Sequence, residues 1–281
     1  MGSNQSGDDC MKLCVTAYCV EKKLTAKQTN LKEFIDFLSE NDVKYVELLD
    51  FFWDQESPEE IKAHMEEKGV ECACYSVSNN FLRHGSTIES EIARVKTGVD
   101  LAIMLGARNV RVFSSRPNEN YSFGETMKVI INSLGECAKY AEERGMTLVL
   151  ENHGAFAASS KQVLNILENV NSHALRINAD TGNFLVGLED PLEGVKNVYD
   201  KLEHLHIKDV VYADQGEPTM DGKFLKGVVI GDGICRIEEI VEFLKKAGYK
   251  GFLSLEYEGA EIDCYQGTLM SLNTLKSFMG V

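Results

Sequence analysis

The sequence predicts an α/β chain folded as a single-domain (β/α)8 barrel, and three observations carry that reading. Short apolar runs with strand character alternate with amphipathic, charge-rich helical stretches eight times, with no linker or compositional break. Several runs are apolar at both parities, as in a parallel strand covered on both faces. Successive run ends stand about 25–40 residues apart, the span of one strand–helix unit in such a barrel, and the last spacing alone is longer. With 281 residues and 44% hydrophobic content, the chain can bury one large core. An open doubly wound sheet would want a Gly-rich phosphate turn after the first strand, and Ala17-Tyr18-Cys19-Val20 offers none.

Residues 1–10 are polar and expected to be disordered or tag-like, leaving 11–281 for the barrel. The first four strands are expected at 13–20, 45–49, 70–77 and 109–114. The fifth runs into Glu151, the sixth (175–179) into Asp180, the seventh (204–208) into Asp209, and the eighth (252–255) into Glu256. Helices are expected at 31–40, 58–67, 87–105, 124–143, 160–170, 191–199, 237–247 and 267–279. Ser57-Pro58-Glu59-Glu60 supplies a cap, a proline at the first helical position and acids in the first turn. Gly106, Gly145 and Gly248 sit where helix C-caps belong. A Gly- and Asp-rich segment, 211–233, is inserted after the seventh strand; a mobile lid, a surface excursion and a subunit contact are all open readings.

Composition narrows the partners. The formal charge is −15 and no basic patch offsets it, which argues against nucleic acid. Eight cysteines form no C-x-x-C pair and read as reduced, buried small hydrophobes. The N-terminal residues lack the build of a signal peptide, and no run reaches the roughly 18 apolar residues of a membrane span. The expectation is a soluble, cytoplasmic protein with a small-molecule partner, no membrane association and a possible homo-oligomeric state.

The strand ends carry the chemistry. Side chains alternate along a strand, so matching parity enters the lumen. Thr147, Val149, Glu151 and His153 share one face, as do Arg176, Asn178 and Asp180, then His204, His206 and Lys208, then Ser254, Glu256 and Glu258. Each set becomes polar towards its tip, and active sites of such barrels lie at that end. Three carboxylates facing one another would raise each other's pKa until some protonate, a conflict that a divalent cation removes. An oxygen-rich set with one imidazole suits Mn²⁺ best, with Mg²⁺, Co²⁺ or Zn²⁺ also accommodated. The competing reading is a polar barrel interior held by ion pairs, with Arg176 and Lys208 as counter-charges.

Residues 148–154 (LVLENHG), 178–184 (NADTGNF), 204–209 (HLHIKD) and 253–256 (LSLE) together resemble the xylose isomerase-like TIM-barrel superfamily, in its sugar phosphate isomerase/epimerase branch. The likeness runs from the first strand to the C-terminus and takes in Ser76-Val77-Ser78-Asn79-Asn80 and Gly231-Asp232-Gly233. It implies Glu151, Asp180, His206 and Glu256 as metal ligands, with Glu151 and Glu256 also the proton-transfer pair. The reaction implied is isomerisation or epimerisation of a sugar, sugar phosphate or polyol by proton abstraction through a metal-stabilised enediolate. Loss of a β-hydroxyl instead gives an inosose-type dehydratase. Ala157, Asn183 and Tyr212 stand where the ketose 3-epimerases carry a Glu, a His and an Arg that grip particular hydroxyls.

Further site residues are expected from position. His153 either binds a substrate oxygen or caps a loop. Lys208 holds a hydroxyl or phosphate, or neutralises Asp180 or Glu256. Trp53, the only tryptophan, is an aromatic wall or loop packing. Asn79, His84 and Asn183 are further substrate-binding candidates, His84 with a surface location as the competing reading. Glu47 and Arg111 are expected to form a buried ion pair. An endonuclease IV-like repair enzyme would need a histidine-rich trinuclear zinc site and a basic surface, and six histidines with a charge of −15 argue against it. A non-catalytic sugar-binding barrel would not need the ligand quartet.

Overall fold

The computed structural model describes residues 11–53 and 56–281, so the expectation for residues 1–10 falls outside the described residues. Strands β1 (Lys12–Thr16), β2 (Tyr45–Leu49), β3 (Glu71–Ser76), β4 (Asn109–Val112), β5 (Thr147–Glu151), β6 (Leu175–Asp180) and β7 (Leu202–Ile207) follow one another in the chain. Next come β8 (Asp209–Ala213), β9 (Glu217–Pro218) and β10 (Phe224–Val228), and finally β11 (Phe252–Leu255). The first seven and β11 form a closed parallel barrel in the order β1-β11-β7-β6-β5-β4-β3-β2. This is the (β/α)8 fold expected, with a helix on each crossover as parallel pairing requires.

The helices form for local reasons and bury one stripe each. Leu31–Glu40 is capped by the Asn30 side chain and turns Leu31, Phe34, Ile35 and Leu38 inward. Pro58–Lys68 starts with a reciprocal Ser57–Glu60 capping box and stops at Gly69, whose φ is 68°. Three segments differ from expectation. Residues 17–20 leave the sheet as a 3-10 turn, because the Thr16 hydroxyl accepts from the Tyr18 N–H and closes the strand. The last helix begins at Cys264, not 267, with Asp263 accepting from Tyr265 and Gln266. The 211–233 segment, expected as a loop, carries regular structure: β8, β10 and β9 make a three-stranded antiparallel sheet.

That sheet is pinned where it leaves the barrel. The Asp209 carboxylate accepts N–H bonds from Gly231 (2.9 Å), Gly233 (3.0 Å) and Cys235 (3.0 Å). A Cβ on Gly233 would lie 2.0 Å from an Asp209 oxygen, which explains glycine there. The seven described cysteines are all free, six of them buried. Among the described residues no helix is long and apolar enough to cross a membrane.

Candidate metal and substrate site

Register decides which side chains meet. An irregularity between Ile177 and Asn178 brings Asp180 opposite His206, and β11 sets Ser254 beside His206 from the other side. Glu151, Asp180, His206 and Glu256 are all buried at the C-terminal ends of the strands. Glu151, Asp180 and His206 offer ligand atoms within 4.8 Å of one another. His206 Nδ1 lies 2.6 Å from Glu256 Oε2, 3.7 Å from Glu151 Oε2 and 3.9 Å from Asp180 Oδ2.

The supports are fixed. The Asn152 side chain bonds both the N–H and the C=O of Asp180 at 2.5 and 3.1 Å, locking the tips of β5 and β6 together. Asn183 donates its side-chain amide to Glu151 Oε1 at 3.1 Å and its backbone N–H to Asp180 Oδ1 at 2.9 Å. It therefore orients two of the four ligands rather than lining the cavity. Asp180 Oδ2 is buried without a hydrogen bond among the described residues, its nearest cation being Lys208 Nζ at 3.2 Å. An unsatisfied carboxylate oxygen aimed at two further carboxylates and an imidazole nitrogen fits a hard or borderline divalent cation.

Electrostatics lead to the same donor set. Burial, reinforced by Glu256 and Asp180, pushes the Glu151 carboxyl up to about 7 against the pull of Arg111 and His206. Burial raises Asp180 as well, despite Lys208. Burial acts the same way on Glu256, but His206 and Lys208 outweigh it and hold that carboxyl below its ordinary range. The His206 imidazole is disfavoured as a cation by burial, yet Glu47 and Glu256 raise it well above its usual value. Of the two expected counter-charges, Lys208 fills that role, bridging Asp180 and Glu258 (3.4 Å). Arg176 does not, since its guanidinium bonds the Asp200 carbonyl away from the cluster. Arg111 takes its place, 3.2 Å from Glu151.

Glu47 corrects a second expectation. It does not pair with Arg111; the Ser76 hydroxyl stands between them, donating to Glu47 at 2.5 Å and accepting from Arg111 Nε at 3.1 Å. Glu47 is fully buried and also accepts from His204 Nε2 (3.0 Å), His206 Nε2 (2.9 Å) and the Ser254 hydroxyl (2.8 Å). Burial raises its carboxyl, but His206 and His204 together bring it well below the ordinary value.

A cavity of about 400 Å³ opens above the cluster, lined by Glu151, His206 and Glu256 together with Thr16, Tyr18, Phe51, Arg111, Phe113, Arg116, His153, Lys208, Glu217 and Glu258. His153 packs at a tilt against Phe113 (centroids 4.8 Å apart), and burial with Lys208 and Arg111 brings its pKa down to about 4, so the ring is neutral. Glu217 arrives from β9, which places the small antiparallel sheet at the cavity mouth. Asn79 clasps the Phe113 backbone at 2.8 and 2.9 Å and lines a side pocket instead of the main cavity. Trp53 is turned away, its indole N–H donating to the Tyr75 hydroxyl at 3.1 Å, and from that strand end it is Phe51 that lines the cavity. His84 is exposed and pairs with Glu119 at 3.3 Å, outside the cavity. Tyr18, Arg111, Arg116 and Glu217 were not singled out for the site from sequence. The two arginines carried a signal, since both lie at or just past the fourth strand tip.

A family model described as xylose isomerase-like TIM barrel matches residues 35–275. The chain belongs to that family. Among curated relatives, an inosose dehydratase of Clostridium perfringens is 28% identical over 142 residues, covering 48% of each chain. The match thus spans about half the length of that relative. Among solved structures, a D-tagatose 3-epimerase-like protein superposes with a TM-score of 0.78 at 19% identity, covering 96% of this chain and 97% of its own. An IolI protein with a bound zinc atom gives a TM-score of 0.78 at 17% identity, covering 96% and 98%. Within this xylose isomerase-like barrel, three of the six histidines (His153, His204 and His206) lie at or beneath the cavity. His64 pairs with Asp36 on the outer helices instead.

Proposed function

We propose that the chain is a divalent-metal-dependent enzyme acting on a sugar or polyol carbonyl, moving a proton between faces or carbons as an epimerase or isomerase. The observation that carries this reading is the convergence of Glu151, Asp180 and Glu256 on His206 Nδ1, all within 4 Å. Those four residues would hold the cation, with Mn²⁺ the best match to the donor set. When bound, it supplies Lewis acidity towards a carbonyl oxygen and its neighbouring hydroxyl. Glu256, kept ionised by His206 and Lys208, takes the proton from the adjacent carbon. Glu151, whose carboxylate meets Arg111, is the partner that returns a proton in the second half of the step. Lys208 donates to substrate oxygens, and neutral His153 lines the wall against Phe113. Free, mostly buried thiols support a reducing, cytoplasmic setting.

A second reading is dehydration of an inosose, favoured by the name of the curated relatives. It shares the proton abstraction, after which a β-hydroxyl departs as water with the proton from Glu151. One experiment separates the two: ketoses and inososes incubated with the Mn²⁺-loaded chain in D₂O, products read by NMR. Epimerisation or isomerisation leaves deuterium at the reacting carbon of a sugar of unchanged composition. Water loss yields an unsaturated product and sinks the isomerase reading. No turnover of any member of the screen sinks both.

A further inference from the structure

We infer that the substrate carries a compact anionic group, a phosphate or a carboxylate, seated in a side pocket beside the metal cavity between the third and fourth strand ends. The inference rests on the reading above, that the main cavity processes a carbonyl substrate. The side pocket encloses about 130 Å³ and shares Ser78, Phe113, Arg116 and His153 with the main cavity, so one molecule can occupy both. That volume equals roughly four water molecules, room for one such group.

The two spaces differ in charge. The main cavity is lined by Glu151, Glu217, Glu256 and Glu258, whereas the side pocket has no carboxylate in its lining and carries Arg83 and Arg116. In a chain of net charge −15 such a lining stands out. Arg83 is braced: its Nε meets buried Glu91 at 2.9 Å and its Nη2 donates to the Ser78 carbonyl at 2.5 Å, so its charge is already shared. Arg116 is different. Its backbone N–H is held by Asn80 Oδ1 at 3.1 Å, fixing where the side chain starts, and its guanidinium has no partner among the described residues. A fork of N–H donors on a fixed base, without an acid to satisfy it, matches the geometry of phosphate or carboxylate.

A second, independent feature lies in the same wall. Ser114 is fully buried, lines the side pocket, and its hydroxyl has no hydrogen-bond partner among the described residues. Buried hydroxyls are otherwise satisfied almost without exception, so this one is a donor awaiting an acceptor. An oxyanion in the pocket supplies it.

The test uses the full, Mn²⁺-loaded chain. Matched substrates in neutral, phosphorylated and carboxylated form are compared by kcat/KM for wild type and Arg116→Gln, with circular dichroism and melting curves verifying the fold. One anionic form is expected to exceed the neutral one by at least about tenfold, and the arm that does so tells phosphate from carboxylate. Arg116→Gln is expected to shrink that ratio to within about threefold, acting through KM, with Mn²⁺ affinity unchanged. A preference for the neutral form, or a ratio that survives Arg116→Gln, overturns the inference. Equilibrium binding of inorganic phosphate and of acetate, in wild type and variant, needs no turnover. Arg116-dependent binding of either supports the subsite even if every substrate fails, in which case the proposed reaction falls alone. Absence of Arg116-dependent binding of both overturns the subsite even if neutral sugars react.

Discussion

Both carboxylate oxygens of Glu47 lie within hydrogen-bonding distance of His206 Nε2, at 3.1 and 2.9 Å. A carboxylate only accepts, so Nε2 carries a proton, and Nδ1 is the nitrogen turned towards Glu151, Asp180 and Glu256, where a bound cation would take the place of its proton. Glu47 thus sets which imidazole nitrogen is offered to a cation. Outer partners of this kind typically govern metal affinity by about 10–100-fold. Glu47→Gln is expected to weaken Mn²⁺ binding by about that factor, measured by chelator competition, with secondary structure retained. Wild-type affinity in the variant would show that Glu47 serves the barrel interior alone.

The proton-transfer assignment is tested separately. Glu151→Gln and Glu256→Gln keep the shape of each side chain and remove its capacity to exchange a proton. Each is expected to lower kcat by about 10²–10⁴ or more, with far-UV circular dichroism unchanged. Near-native turnover in either variant refutes its role.

Removing the cation should show in stability as well as in rate. The buried carboxylates repel in its absence, with Glu151 and Asp180 both pushed up by burial and by the charge of Glu256. At a free Mn²⁺ concentration about 100 times Kd, the folded chain is expected to gain about 2.7 kcal/mol. Differential scanning calorimetry with Mn²⁺ and with a chelator measures it. A melting temperature indifferent to both would mean that the folded chain does not bind the ion.

Away from the site, Asp36 gives a pH dependence whose sign is fixed. It ties helix Leu31–Glu40 to helix Pro58–Lys68 through Lys68 at 2.8 Å and His64 at 2.9 Å. The Lys68 hydrogen bond, with His64 adding to it, lowers its carboxyl below the ordinary 3.8. A carboxyl lower when folded stabilises above its unfolded value and loses that contribution as pH falls below it. Because the Asp36 side chain is 37% exposed, the effect is small: Asp36→Asn should cost about 0.2–1 kcal/mol at pH 7. The difference from wild type should shrink as pH falls below the ordinary 3.8 and on through the lowered folded-state value, read from urea unfolding at stepped pH. A constant gap across that range would assign the effect to packing.

The barrel was legible in the sequence because each strand is short, doubly apolar and followed by a helix with its own start and stop signals. Glu151, Asp180, His206 and Glu256 were legible for a related reason: a charged residue ending a buried strand requires a partner. Pairings across the lumen were not. Glu47 meets His206, 159 residues away, and Arg111 meets Glu151 because strand register sets the height of each lumenal side chain. Parity says which residues face inward and leaves their level undetermined. Trp53 misled for another reason: it follows β2 closely, yet the backbone turns its indole to Tyr75 and gives Phe51 the cavity.

The antiparallel sheet after β7 is hydrogen-bonded within itself and joined to the barrel at Asp209, one residue past Lys208. Its strand β9 still delivers Glu217 to the cavity mouth. Part of the cavity mouth and the cluster of Glu151, Asp180, His206 and Glu256 are therefore built by different stretches of chain. Replacing Glu217 would change that mouth without touching those strand ends, whereas the rest of the stretch is anchored, by the Met220 N–H on the Val186 carbonyl at 3.0 Å, by Lys226 on Glu261 and by Leu225 in the core.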